Sequence, residues 1–252
     1  MSNLTANIET VRQRMAAAAG RAGRSVDDIT LVAVTKTHPV ETVAAAYRAG
    51  LRHFGENRVA EGRAKVAAMA DWLAQAGVEE PLELPVWHMI GHLQRRQVGE
   101  ALGQFELIHS VDSLKLAERI QRLADREEYP PVEILLECNV SGESAKSGFA
   151  LDRWEADTTQ FKAFLAEIAR MVSLDKLIIR GLMTMAPLAV DPEESRPNFQ
   201  SLATLRQKLQ TEMPQIDWQH LSMGMTDDFE VAIEEGATMI RVGRALFGER
   251  LR

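Results

Sequence analysis

The run Leu31-Val32-Ala33-Val34-Thr35-Lys36, continued by Thr37-His38-Pro39, decides the fold. Its apolar residues read as a buried strand. Pro39 then opens a helical pattern over Val40–Arg48, which Gly50 closes. A strand passing straight into a helix is the first half of a parallel βα unit. In an open doubly wound sheet this first turn is usually glycine-rich; here it is Lys-Thr-His-Pro. Lysine is among the residues least often fully buried, so an ammonium at the mouth of an apolar strand is unusual. Partial desolvation lowers a lysine pKa and frees the amine as a nucleophile for a carbonyl. The bland alternative is a strand-end lysine that snorkels to water.

Outward from this run the same alternation repeats. Apolar runs at 30–36, 52–56, 86–91, 107–111, 132–140, 177–184, 218–223 and 238–242 make eight, separated by helical patterns. Eight βα units predict a TIM-type (β/α)8 barrel filling residues 1–252 as a single domain. An extra N-terminal helix precedes it over residues 4–20, with Ile8, Val11 and Met15 on one stripe. Asp112 is placed to cap a helix over 113–126, and Asp227 one over 229–235 that ends at Gly236. The segment 75–85, carrying Gly77, Glu79, Glu80, Pro81 and Pro85, reads as a long surface loop within the domain.

Composition narrows the function. A net charge of -7 argues against nucleic-acid or anionic-membrane partners. The single cysteine, Cys138, permits no intrachain disulfide. No apolar stretch approaches a membrane span, and the first residues lack the charged and apolar regions of a signal peptide. A cytoplasmic protein is expected.

In such a barrel, chemistry sits where strands end and loops begin. The first run ends in Lys36 and the second in Gly55-Glu56-Asn57-Arg58. The seventh ends in Ser222-Met223-Gly224-Met225-Thr226, and the eighth in Gly243-Arg244. Hydroxyls and helix-start N–H groups at the last two ends suit a phosphate. With Lys36 across the same mouth, a phosphate-bearing aldehyde is the natural ligand. Arg241, inside an apolar strand, needs a partner. Facing a pyridine nitrogen it would donate a hydrogen bond and keep that nitrogen unprotonated. The structural alternative is a pair with Asp227, Asp228 or Glu56.

These residues carry a family resemblance. The pieces are Ala33-Val34-Thr35-Lys36, Phe54-Gly55-Glu56-Asn57, Trp87-His88-Met89-Ile90-Gly91-His92-Leu93-Gln94, His109-Ser110-Val111-Asp112-Ser113, Asn139-Val140-Ser141-Gly142-Glu143 with Lys146-Ser147-Gly148, Gly181-Leu182-Met183-Thr184-Met185-Ala186-Pro187, and Leu221-Ser222-Met223-Gly224-Met225-Thr226 through Ile240-Arg241-Val242-Gly243 to Phe247-Gly248-Glu249-Arg250. In this order, over nearly the whole chain, they resemble the pyridoxal-phosphate homeostasis proteins of the YggS or PROSC type.

The resemblance implies a single-domain barrel like the N-terminal domain of alanine racemase, of fold-type III. It implies pyridoxal 5'-phosphate held as a Schiff base on Lys36. Phosphate would be held by Ser222, Thr226, Gly243 and the backbone of Arg244; Arg241 would lie near the pyridine ring, and Asn57 and Met223 would line the pocket. It further implies a protein that buffers the cofactor or delivers it to apo-enzymes, with no established turnover, no catalytic residue and no metal. The chain departs from the family at Arg244, where a small residue is more usual. Since the sequence stops at Arg252, no second domain is expected, and a monomer is expected.

Other readings are weaker. A two-base racemase needs a second acid/base opposite the imine. In alanine racemase, which the chain resembles, that group is a tyrosine from a second domain; here there are only Tyr47, mid-helix, and Tyr129, just before Pro130-Pro131. Gly142-Glu143-Ser144-Ala145-Lys146-Ser147 lacks the glycine a P-loop requires before its lysine. Lys146 reads either as a second amine near the cofactor or as a solvated loop lysine. His88 and His92 are spaced four apart, but Met89 stands where a zincin needs glutamate. His38 reads as a proton-transfer helper or a loop hydrogen-bonder. A scaffold that has lost the cofactor is a third class, separated from the others by an absorbance spectrum.

Overall fold

The computed structural model describes residues 2–75 and 84–248. In chain order the elements are α1 (Ser2–Arg21), β1 (Thr30–Val34), α2 (Val40–Arg48), β2 (His53–Glu56), α3 (Val59–Gln75), β3 (Val86–Met89), α4 (Val98–Ala101), β4 (Leu107–Val111), α5 (Leu114–Arg126), β5 (Val132–Asn139), β6 (Phe149–Ala150), α6 (Thr158–Val172), β7 (Leu177–Met183), α7 (Arg196–Glu212), β8 (His220–Ser222), α8 (Phe229–Glu234), β9 (Met239–Val242) and α9 (Arg244–Phe247). Every strand pairing is parallel. The ring runs β1, β2, β3, β4, β5, β7, β8, β9 and closes from β9 back onto β1, with Val32 opposite Arg241. It is the expected eight-stranded TIM barrel.

The eight apolar runs all become barrel strands, and all but β4, which keeps the bounds 107–111, are shorter than the runs themselves. β1 ends at Val34 rather than Lys36, because Lys36-Thr37 form a turn, although the Thr35 N–H still reaches the Gly55 carbonyl (3.1 Å). The two-residue β6 was not foreseen. It pairs outside the ring, Phe149 against Cys138, and has no periodicity to read. Gly148 lets it approach: a Cβ there would lie 2.9 Å from both Asn139 N and Glu137 O, at φ +114. Of the expected loop at 75–85, residues 76–83 lie outside the described residues.

Helix ends correct two expected caps. Ser113, not Asp112, caps α5: its Oγ accepts from Leu116 N (3.3 Å) and donates to Asp112 Oδ1 (3.0 Å). At α8 the N-cap position is Asp228, whose carboxylate accepts the Met225 N–H (2.6 Å), while Asp227 turns to the Arg244 guanidinium. In both cases two acidic or hydroxyl residues stand in tandem, and backbone phase selects between them.

Two layers of core follow from strand alternation. Outward-facing strand residues meet the helices in one large apolar cluster. A small separate cluster of Leu107, Leu135, Met183 and Met239 packs inside the ring. Above and around it the lumen is polar, holding His88, His109, Ser222 and Arg241, all buried. That departs from the branched apolar layers usual in such barrels. Helix α1 buries Ile8, Val11, Met15, Ala18 and Ala19 and packs on α8 and α9, where Asn7 Nδ2 donates to Leu246 O (2.9 Å). It therefore braces the last helix of the rim.

Candidate functional site

At the C-terminal rim a cavity of about 420 Å³ is lined by Lys36, His38, Asn57, Thr226, Arg241, Gly243 and Arg244, with Val34, Ile90, Met185, Leu188 and Met225 among its apolar walls. Six of the eight expected site residues thus converge from the ends of β1, β2, β8 and β9. Such a volume suits a small cofactor.

Lys36 is half-buried in the turn after β1. That turn is fixed on both sides by residues the sequence reading missed. Lys65, on α3 and 6% exposed, uses its three donors on Thr35 O (2.6 Å), Glu56 Oε1 (2.8 Å) and Glu61 Oε1 (2.7 Å). Thr35 Oγ1 also donates to Glu56 Oε1 (2.5 Å), and the Thr37 N–H donates to Glu61. Thr37 has φ +67, a costly conformation for a β-branched residue, which persists only where its surroundings fix it. Burial pushes the Glu56 carboxyl up, against the opposing pull of Lys65 and Thr35. Burial also works against ionisation of Glu61, but hydrogen bonds from Lys65 and Thr37 win and hold it below the usual range. In the sequence, Glu61 and Lys65 look like an ordinary exposed i,i+4 pair. The readable signal was Glu56 at a strand end, since a buried carboxylate requires a nearby cation.

Across the mouth, Thr226 is half-buried, and its Oγ1 lies 3.5 Å from Ala245 N at the start of α9. The first N–H groups of that helix have no partner within it. The exposed Arg244 side chain pairs with Asp227, which leaves only its backbone for the cavity role expected of it. His38 packs against the Phe247 ring (centroids 4.9 Å apart).

Arg241 is 4% exposed; its Nη1 donates to Ser222 Oγ (2.6 Å) and its Nη2 to Thr184 O (2.9 Å). The pair with Asp227, Asp228 or Glu56 offered as its structural alternative does not form as a direct contact. Burial lowers its pKa to about 10, with Asp228 and Glu137 opposing, so it remains a cation at neutral pH.

Two expected site residues are not in the cavity wall. Ser222 points into the lumen but is fully buried, its Oγ engaged by Arg241 and 2.9 Å from His109 Nδ1. Met223, expected to line the pocket, is fully buried in the layer between barrel and helices, because alternation along β8 turns it outward when Ser222 turns inward. Asn57 keeps its place, and its buried Oδ1 has no hydrogen-bond partner among the described residues. Gly91 makes room for it: a Cβ at Gly91 would stand 2.3 Å from the Asn57 carbonyl oxygen.

Nearby features resolve the other motifs. Lys146 donates to Met185 O (3.0 Å) and pairs with Glu143, which places it in a loop over the rim beside a cavity-lining residue. His88 points into the lumen while His92 faces Asp112 (3.4 Å), so the two do not converge. Among the described residues no helix is long and apolar enough to cross a membrane.

Residues 1–251 match the sequence profile of the family described as "Alanine racemase, N-terminal domain". The chain belongs to this family. Within it, the curated relatives include proteins named "Pyridoxal phosphate homeostasis protein". That of Vibrio alginolyticus is 38% identical, and the alignment covers 99% of each chain. That of Aquifex aeolicus is 39% identical, covering 98% of this chain and 99% of its own. Among solved structures, PipY of Synechococcus elongatus with PLP bound is 35% identical with a TM-score of 0.75, covering 94% of this chain and all of its own. An alanine racemase of Clostridium difficile, 16% identical with a TM-score of 0.65, shares the fold over 58% of its length. The curated relatives are thus named for homeostasis of pyridoxal phosphate and not for an enzymatic reaction.

Proposed function

We propose that this chain binds pyridoxal 5'-phosphate in the rim cavity, as a Schiff base through Lys36, and serves as a single-domain, monomeric cytoplasmic carrier that buffers the cofactor or hands it to apo-enzymes without turnover of its own. The observation that carries this reading is the convergence of an amine, a hydroxyl, a helix start and a guanidinium on one cavity, in a chain whose relatives are named for that cofactor. The residues fit the group. Asn57 lines the cavity, and its buried Oδ1, without a hydrogen-bond partner among the described residues, calls for a donor. The cofactor supplies an aldehyde that condenses with an amine, and a dianion to be gripped.

The chain's own residues then have distinct tasks. Lys36, held by the Lys65 cluster, presents the amine. Thr226 and the N–H groups at Gly243 and Arg244 hold the phosphate on the far side by donating to its oxygens. Ser222 and Met223, expected to touch the ligand, act instead through Arg241 and through packing. Arg241, a permanent donor, orients the ring and disfavours protonation of its nitrogen, which weakens carbanion stabilisation.

That last point favours a carrier over an amino-acid racemase. So do the tyrosines: Tyr47 is buried on α2 against Trp72, Tyr129 packs beside Gly103, and neither lines the cavity. The test is an absorbance titration of the purified chain with pyridoxal phosphate, with size measured alongside. An imine band is expected, absent in Lys36→Ala and abolished by borohydride, which reduces the C=N bond and leaves the cofactor fixed on Lys36. A wild-type chain that forms no such band would defeat the reading, and racemisation of a free amino acid would return it to the enzymes.

A further inference from the structure

An unbroken polar line crosses the inside of the barrel. His53 Nδ1 lies 2.9 Å from His88 Nε2, His88 Nδ1 2.9 Å from His109 Nε2, and His109 Nδ1 2.9 Å from Ser222 Oγ, which accepts from Arg241 Nη1 at 2.6 Å. The line climbs from β2 through β3 to β4, then spans the lumen to β8 and β9. At one end His53 lines a cavity of about 830 Å³ under α1; at the other Arg241 lines the rim cavity.

The line has a direction. A guanidinium only donates, so Ser222 Oγ accepts from Arg241. Ser222 is fully buried, and its own proton has one acceptor among the described residues, His109 Nδ1. An acceptor Nδ1 on a neutral ring puts the proton of His109 on Nε2, facing His88 Nδ1. His88 then carries its proton on Nε2 and donates to His53. The opposite direction would send two donors into Ser222 and strand its hydroxyl proton in the core, at the cost of an unmade hydrogen bond. Burial, reinforced by neighbouring His53 and His220, lowers His88 to about 3, and burial drives His109 well below its usual range. Both rings are therefore neutral at pH 7. Besides these, Glu137 and Asp228 face Arg241.

We propose that His109 and His88 are positioning residues for Arg241, and that the one-way hydrogen-bond line they form with Ser222 sets the guanidinium plane against the ring of the bound cofactor. A hydroxyl that donates is a stronger acceptor, so the line tightens the Ser222–Arg241 bond while Thr184 O anchors the other nitrogen. The inference rests on the assignment of the rim cavity to pyridoxal phosphate.

The test uses the full chain with 15N-labelled histidine. In the unloaded protein at neutral pH, long-range 1H–15N spectra are expected to show His88 and His109 as single neutral tautomers protonated on Nε2. Ser222→Ala removes the donor that sets the direction, so its effect should spread to the tautomer of His88, which Ser222 does not touch. In titrations with pyridoxal phosphate, His88→Leu should lower affinity about tenfold, as the loss of one hydrogen bond's worth of order implies, and shift the absorbance band; His88→Gln, which can both accept and donate, should restore both. An Nδ1 proton on either ring, an effect of Ser222→Ala confined to His109, or a His88→Leu protein with unchanged affinity and band would each overturn the proposal. If wild-type chain bound no cofactor at all, the cavity assignment would fall, and the tautomers, read without ligand, would still decide whether the line has its direction.

Discussion

Lys65 shows how a residue that never enters the cavity can govern one that does. Its ammonium is the common partner of Thr35 O, Glu56 and Glu61, and those contacts fix the turn that carries Lys36. Replacing it by methionine keeps the stem and removes the charge, leaving Glu56 fully buried without its cation. Breaking one partner of a buried pair costs about 3–5 kcal/mol. Urea unfolding of Lys65→Met should show a loss of that size, together with slower reaction of Lys36 with pyridoxal phosphate; a loss below about 1 kcal/mol would mean the cluster is not what holds the turn. Lys36 itself was legible because an ammonium ending an apolar strand violates the local pattern. Lys65 was not legible, because on a helix its spacing from Glu61 matches that of any solvated pair, and only the closing of α3 over β2 buries it. The histidine line was hidden for a similar reason: its five members, from His53 to Arg241, lie on five different strands, and no spacing along the chain joins them.

Elements were read best where apolar character alone defines them. The eight barrel strands needed only their buried runs and the helices between, whereas caps depended on phase. Asp112 and Ser113 are both good N-caps in isolation. The backbone places Ser113 at the β-region position, φ -164 and ψ 151, from which its Oγ reaches Leu116 N. Ser113→Ala should therefore cost about 1 kcal/mol of stability, a typical loss of a cap. Asp112→Ala should spare the cap and instead release His92, its partner at 3.4 Å. Thermal unfolding of the two variants separates the assignments, and equal losses would contradict Ser113 as the cap. The short segment after β3 makes a sharper case. Gly91→Ala would drive a Cβ to 2.3 Å from the Asn57 carbonyl oxygen, and backbone cannot yield as a flexible side chain can. Weakened cofactor binding with little change in helix content is expected, because the displaced residue belongs to the rim. Undiminished binding would remove Asn57 from the site.

At the scale of the whole molecule, a polar barrel lumen makes stability depend on pH from two directions. His88 has a folded pKa of about 3 against an ordinary 6.5. A depressed histidine contributes stability above its unfolded value, and that contribution drains away as pH falls from 6.5 toward 3. Glu137, on β5 and 3% exposed, runs the other way. Burial, with Asp112 adding to it, raises its pKa to about 7 from 4.5, and its Oε2 has no hydrogen-bond partner among the described residues. A raised carboxyl contributes fully below 4.5 and loses that contribution as pH rises through 7. Between 4.5 and 6.5 the two trends oppose each other, so the wild-type curve there is a poor guide to either group. The difference between wild type and Glu137→Gln isolates one of them. Relative to the variant, which cannot ionise, wild type should lose about 3 kcal/mol between pH 4.5 and pH 8, the equivalent of the shift in pKa, and the difference should be flat below that window. Urea midpoints measured at half-unit intervals would reveal it. A difference that did not change with pH would mean that Glu137 ionises as an ordinary carboxylate, and that water reaches the lumen beside Arg241.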